Sequence, residues 1–231
     1  MMLCVEGLEA GYGGARVLFG VSMEVGRGRL TCVMGRGGVG KTTLLNVVMG
    51  VLPASGGSVT FEGRSLTGLR PDERVRLGMG YVPHGHDTFP QLSVMGNLMV
   101  TVEASPHKDA TAVDDALEVF PLLKPVLNRP AGSLSSGQQR RLAMARALVT
   151  RPRLLILDEP AEGVEASVVF EIGEAIERLR ASGLAMLLVE RYLDLALRLA
   201  DDFVILDAGR VARSGTAEEL KGEDVHRLLE V

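Results

Sequence analysis

Gly35-Arg36-Gly37-Gly38-Val39-Gly40-Lys41-Thr42-Thr43 sets two glycines, with four residues between them, ahead of a lysine and two hydroxyl side chains. That spacing is the pattern of a phosphate-binding loop, in which a glycine-rich turn brings backbone N–H groups round an anion. Leu30–Met34 reads as a short apolar strand feeding the loop, and Thr43–Met49 as a helix leaving it. The N–H groups of a helix start would then face bound phosphate. In this arrangement Lys41 reaches the terminal phosphates and Thr42 holds Mg2+, while Gly35 through Gly40 and Thr43 line the rest of the pocket. A glycine-rich turn can match the pattern by chance, but a strand before it and a helix after it favour nucleotide binding.

A second stretch, Leu154-Leu155-Ile156-Leu157-Asp158-Glu159-Pro160, ends a continuous apolar run on two carboxylates. Open α/β sheets take their ligands at the carboxyl ends of strands, so the pair stands where a nucleotide would lie. Asp158 suits magnesium, directly or through water, and Glu159 suits a base that polarises the water attacking a γ-phosphate. Two acids at a solvated strand end are the plain alternative, and the phosphate loop in the same chain tips the balance to catalysis. A third stretch, Leu134-Ser135-Ser136-Gly137-Gln138, precedes the amphipathic run QQRRLAMARALV. Its hydroxyls and first-turn N–H groups form another anion-seeking helix start, with ordinary helix capping as the alternative. A head-to-tail dimer, each nucleotide lying between the loop of one subunit and the pentad of another, uses both.

The chain has 231 residues, 46% of them hydrophobic and 23% charged, the mixture of a folded globular protein with a substantial core. A net charge of -4 gives no reason to expect broad attachment to nucleic acid or anionic lipid, so any membrane role has to come through a protein partner. Cys4 and Cys32 stand far apart in apolar stretches and read as free thiols, in keeping with a reducing cytosol. The first residues meet an acid at Glu6 and lack the basic-then-apolar pattern of an export signal. The uncharged window Thr42–Phe61 is interrupted by Pro53 and by Gly56-Gly57, so no transmembrane segment is expected.

Short apolar β-type runs alternate with stretches of helical period, which assigns the chain to the α/β class. Leu3–Leu8, Val17–Val25 and Val59–Phe61 read as strands, and the alternation of Val21, Met23 and Val25 fits a half-buried antiparallel ribbon. The continuous runs Leu154–Leu157, Met186–Val189 and Val204–Leu206 fit a parallel sheet covered on both faces. Ala112–Leu123, Gln138–Thr150, Ser167–Leu179 and Leu193–Ala200 carry apolar residues at every third and fourth position and would cover that sheet. Residues 84–134 hold Pro90, Pro106, Pro121, Pro125 and Pro130 and read as a less regular, mobile, mainly helical insertion between core strands. Thr216-Ala217-Glu218-Glu219 has the form of a capping box that starts a short terminal helix.

The phosphate loop, the LSSGQ pentad and LLILDEP, in their spacing along the chain, resemble the ATP-binding subunits of ABC transporters, and the resemblance covers nearly all of it. It implies a single ATPase domain over residues 1–231. Residues 1–83 and 151–231 would form a phosphate-loop NTPase core with a mainly parallel central sheet and an antiparallel β region. Residues 84–150 would form an inserted helical subdomain carrying the pentad. The resemblance also implies ATP and Mg2+ as cofactors, Tyr12 as the aromatic that stacks on adenine, and Ser135, Ser136, Gly137 and Gln138 as contacts to nucleotide. A lone tyrosine near a glycine-rich turn is equally a packing residue. The implied partners are a second ATP-binding subunit, like or unlike, held head to tail; transmembrane permease subunits; and through them a solute-binding protein, with no nucleic acid. The implied place is the cytoplasmic face of the inner or plasma membrane. MGRGGVGKTTLL, GYVPHGHDTFPQLSV, LDEPAEGV and LLVERYLDLALRLAD are similar to the uptake branch for branched-chain amino acids and urea, so the expected cargo is a small nitrogenous solute. A soluble ABC protein of DNA repair or translation is disfavoured, because those resemble paired cassettes or cassettes split by long coiled coils.

Three positions depart from the family pattern, each near the expected γ-phosphate. His84 stands where the family usually has glutamine; histidine still bonds water or phosphate, with a charge that changes near neutral pH. Ser136 replaces the first glycine of the usual pair, adding a side chain where backbone would approach phosphate closely or take a positive φ. Arg191, after Glu190, holds a switch position often filled by histidine, or by glutamine in this branch; guanidinium forks onto phosphate but shuttles no proton. The alternatives are a loop histidine without function and a surface ion pair of Arg191 with Glu190 or Asp194. His84 and Arg191 thus join Lys41 and Glu159 as the candidate catalytic set. Hydrolysis decayed through these three positions would leave a nucleotide-binding regulatory module, the runner-up function. The resemblance further turns residues 84–97 toward a membrane subunit, with Phe89, Leu92 and Val94 as contacts or else as core, and places Glu165 at crosstalk across the dimer.

Overall fold

The computed structural model describes residues 1–85, 88–106, 108–109 and 111–221; His86-Asp87 of the GYVPHGHDTFPQLSV stretch and residues 222–231 of the expected domain lie outside it. β1 (Leu3–Tyr12) and β2 (Ala15–Val25) form an antiparallel hairpin, with Val21, Met23 and Val25 inward and Ser22 and Glu24 outward as the alternation predicts. β3 (Leu30–Met34) is buried at every residue and leads through the glycine-rich loop into α1 (Lys41–Met49). β4 (Gly56–Phe61) and β5 (Arg64–Ser65) complete a four-stranded antiparallel sheet in the order β2-β1-β4-β5. α2 (Pro71–Arg76) opens on Pro71, whose missing N–H has no bond to lose at a helix start, and precedes β6 (Met79–Val82).

The stretch after β6 is more regular than its prolines suggest. It holds α3 (Val94–Ala104), α4 (Thr111–Val119), 3-10 turns at Pro121–Val126 and Ala131–Ser133, and α5 (Ser136–Leu148). Pro90, Pro106 and Pro130 fall between helices, where they end or redirect the chain and leave α3 and α4 intact. The helix expected over Ala112–Leu123 stops at Val119, because Pro121 cannot donate to the ladder and the chain tightens into a 3-10 turn. β7 (Leu154–Asp158), α6 (Ala166–Ala181), β8 (Ala185–Val189), α7 (Leu193–Leu199), β9 (Asp202–Asp207), β10 (Arg210–Thr216) and α8 (Ala217–Lys221) follow. The capping box forms: Thr216 N–H donates to Glu219 Oε2 at 2.9 Å, and Glu219 N–H to Thr216 Oγ1 at 3.4 Å.

The second sheet has six strands in the order β10-β9-β3-β8-β7-β6, parallel from β9 to β6 with β10 antiparallel at one edge. Leu30–Met34 therefore belongs at the middle of the parallel sheet. Alternation along these buried strands divides the core: Cys32, Met34, Leu155, Leu157, Met186 and Leu188 face the helices between α3 and α7. Val33, Leu154, Ile156, Leu187 and Val189 face α1 and the antiparallel sheet. Each fully buried leucine contributes on the order of 1.5–3 kcal/mol, so apolar layers on both faces fix where the strands end. The parallel direction brings the carboxyl ends of β3, β6, β7 and β8 to one edge, where loops can converge on a ligand.

Candidate nucleotide site

Two backbone bonds lace the strand ends together: Glu159 N–H donates to Val189 O at 3.0 Å, and Glu190 N–H donates to Val33 O at 3.2 Å. Over this edge the loop from β3 folds back against β9. Gly35 has φ 146° and packs so closely that a Cβ would stand 2.3 Å from Leu206 O, so only glycine fits. Gly40 turns the chain into α1 with φ 108°, and α1 has no side-chain cap. Its first-turn N–H groups are left for an anion to satisfy. Gly37 and Gly38 face open space, where a phosphate can approach.

Lys41 is buried; its Nζ donates to Gly35 O at 2.8 Å and Arg36 O at 2.9 Å and stands 3.5 Å from Glu159 Oε1. Glu159 is a non-glycine residue at φ 49°, a conformation that costs about 1–3 kcal/mol and persists only where the surroundings impose it. The bond from its N–H to β8 is one such constraint. Asp158 is wholly buried, and neither of its oxygens has a hydrogen-bond partner of ordinary geometry. Burial pushes its pKa up, while the nearby Thr42 hydroxyl works the other way. Two orphaned carboxylate oxygens beside a hydroxyl are a donor set that a hard divalent cation satisfies, so the residues fit Mg2+.

Beside this pair lies a second cluster. Glu162 in the turn after β7 takes His84 Nε2 at 3.2 Å on one oxygen and Arg191 Nη1 at 3.0 Å on the other. The surface ion pair that stood as the alternative for Arg191 does form, with Glu162 in place of Glu190 or Asp194. Glu190 is buried instead, its Oε1 accepting the N–H of Arg191 at 2.7 Å and of Tyr192 at 3.0 Å. Burial raises its pKa, and those two bonds oppose the rise. Glu162 was not legible as a site residue; its one signal is a position three residues past Glu159 in a turn whose N–H bonds Glu159 O at 3.1 Å.

The remaining candidates stand apart from these clusters. Ser135 caps α5: its Oγ accepts Gln138 N–H at 3.3 Å, and its own N–H donates to Gln138 Oε1 at 3.1 Å. Ser136 is the first residue of α5 and is not at positive φ, so the backbone strain expected of it is absent; its side chain is exposed. Tyr12, about half exposed, accepts a bond from Asn46 Nδ2 at 3.4 Å. Phe89 and Leu92 are exposed, with Arg146 over the Phe89 ring, whereas Val94 is fully buried and is core. Glu165 is the residue before α6.

A parallel sheet with a phosphate loop leaving one strand and paired acids leaving another defines the class of phosphate-loop nucleotide-binding cassettes. The family model described as ABC transporter matches residues 18–162. The chain is 37% identical over 95% of its length to the high-affinity branched-chain amino acid transport ATP-binding protein BraG of Pseudomonas aeruginosa, covering 94% of that protein. It is 38% identical, with the same coverages, to the probable branched-chain amino acid transport ATP-binding protein LivF of Archaeoglobus fulgidus. It is also 32% identical to the lipopolysaccharide export system ATP-binding protein LptB of Escherichia coli, over 98% of this chain and 95% of that one. The fold superposes on the ADP conformation of an ATP-binding cassette of an ABC transporter with TM-score 0.84 and 30% identity, covering 96% and 93% of the two chains. The chain belongs to the ABC transporter family: it is a nucleotide-binding, ATP-hydrolysing cassette. No helix of the described residues is long and apolar enough to cross a membrane.

Proposed function

We propose that the chain powers an importer of a small nitrogenous solute, a branched-chain amino acid first and urea or an amide second. Similarity to two branched-chain amino acid transport ATP-binding proteins supports the first of these, and the likeness to an export ATPase marks how little of the cargo is encoded in the cassette itself. A second cassette bound head to tail, permeases and a solute-binding protein complete the machine, with this chain peripheral at the cytoplasmic face. Phe89 and Leu92 are the exposed apolar groups for a permease contact. Residues 1–83 and 151–231 act as the core and 84–150 as the helical subdomain.

One observation carries hydrolysis: Lys41, Thr42, Asp158 and Glu159 meet at one sheet edge, with the Asp158 oxygens unpartnered. The N–H groups from Gly37 to Thr43 bind the phosphates, and the partner's pentad closes over them. Thr42 and Asp158 would hold Mg2+, which would supply charge neutralisation on the phosphate oxygens. A γ-phosphate draws Lys41 away from Glu159, and the released carboxylate accepts a proton from the attacking water. His84 and Arg191 bind phosphate oxygens once they leave Glu162. Glu159→Gln should lower hydrolysis by about 10²–10⁴-fold and leave ATP binding intact; unchanged turnover would remove Glu159 from this role.

A regulatory module without turnover has one observation in its favour, that Glu162 already holds both the His84 ring and the Arg191 guanidinium. Mg2+-dependent phosphate release by the purified protein separates the two.

A further inference from the structure

Among the described residues, the buried side-chain atoms with no hydrogen-bond partner belong to three residues: Asp158, Arg140 at Nε and Glu190 at Oε2. Bound Mg2+ would account for Asp158. Arg140 and Glu190 fall on the other face of the sheet, the face of α5 and of Cys32, whose thiol burial and Glu190 push up in pKa. Arg140 lies on α5 just past the pentad and is 3% exposed. Its Nη1 donates to Gly85 O at 3.0 Å and its Nη2 to Glu162 O at 3.1 Å. Gly85 follows His84 in the loop leaving β6, and Glu162 lies in the turn leaving β7. Burial lowers the pKa of Arg140, and the charges of Glu162, Glu190 and Asp158 oppose that.

We infer that Arg140 is a positioning residue for hydrolysis: one buried guanidinium on α5 spans the loops leaving β6 and β7. The two loops bearing His84, Glu159 and Glu162 thereby move with the helix whose first turn lies in the pentad, and Arg191 follows through its own ion pair with Glu162. Contact of the pentad with a second subunit's nucleotide is thus transmitted to the chain's own catalytic groups. Arg140 touches no nucleotide itself, because both Nη groups are spent on carbonyls. A buried ion of this kind adds little net stability over an apolar side chain, so its contribution lies in where it holds the loops. A planar fork makes two bonds in fixed directions, which a lysine ammonium does not reproduce.

This role rests on the hydrolytic function proposed above. Turnover of the unaltered protein with Mg2+ is measured first: its absence overturns both, whereas an active protein leaves Arg140 to be judged alone. Arg140→Lys is expected to lower kcat by about 10- to 100-fold, the cost of misplacing reacting groups, with the KM for ATP and the affinity for ADP within about twofold. Arg140→Gln strands the Glu190 charge and should melt lower; the double variant Arg140→Gln with Glu190→Gln should melt higher than Arg140→Gln yet stay slow. If Arg140→Gln does not fold, Arg140→Lys and the double variant decide. The proposal is overturned by an Arg140→Lys kcat within about twofold of normal, by ADP affinity falling in step with kcat, or by full turnover in the double variant.

Discussion

α1 and α5 both open on sites proposed to face phosphate, and they are built in opposite ways. α1 starts on Gly40 with no side-chain cap and leaves its first N–H groups for a ligand. α5 starts on Ser135 with a closed capping box, so that end is satisfied by its own chain. The Ser135 Oγ spends its acceptor side on Gln138 and keeps a hydroxyl proton to donate. The difference separates a helix start whose N–H groups await a ligand from one that is complete without any, and on the proposed reading the first serves the chain's own nucleotide and the second a partner's.

The sharpest way to break that contrast is at the loop before α1. Gly35→Ala sets a Cβ against Leu206 O at positive φ, a strain of about 1–3 kcal/mol, and should weaken ATP binding by roughly 5- to 150-fold in titration of the monomer. Ser135→Ala should cost about 1 kcal/mol of stability, seen as a melting shift of roughly 2–4 °C. Hydrolysis by the dimer should fall while monomer ATP affinity stays as it was; a parallel loss of affinity would place the pentad in the chain's own site. Smallest of all, Ser136→Gly should raise turnover by about twofold, because only a side chain is removed and the backbone is already helical. A fall in turnover would make that hydroxyl a phosphate ligand.

What the sequence disclosed and what it hid follow from how far each feature reaches along the chain. The phosphate loop and Leu154–Pro160 are contiguous, so Lys41, Thr42, Asp158 and Glu159 could be picked out as candidates that the structure then brings together. Glu162 meets His84 and Arg191 only because topology brings them to it from the ends of other strands. Arg140 reads as one more polar residue of QQRRLAMARALV, and nothing local reveals that it is buried. α3 was hidden by the prolines on either side of it, which mark helix boundaries as readily as disorder. Val94 illustrates the same limit at one position: apolar and just inside α3, it gives no sign of which face it will take.

The pleat has a last implication for anyone who would shorten this protein. Asp158 continues the row of Leu154 and Ile156 toward α1, whereas Glu190 continues the row of Met186 and Leu188 toward α5. These two acids, on adjacent strands with Asp158 opposite Val189, are therefore sorted to opposite sides by a single step of register. Deleting one residue from either strand would deliver its carboxylate to the wrong layer and an aliphatic group to the pocket, so neither strand tolerates trimming.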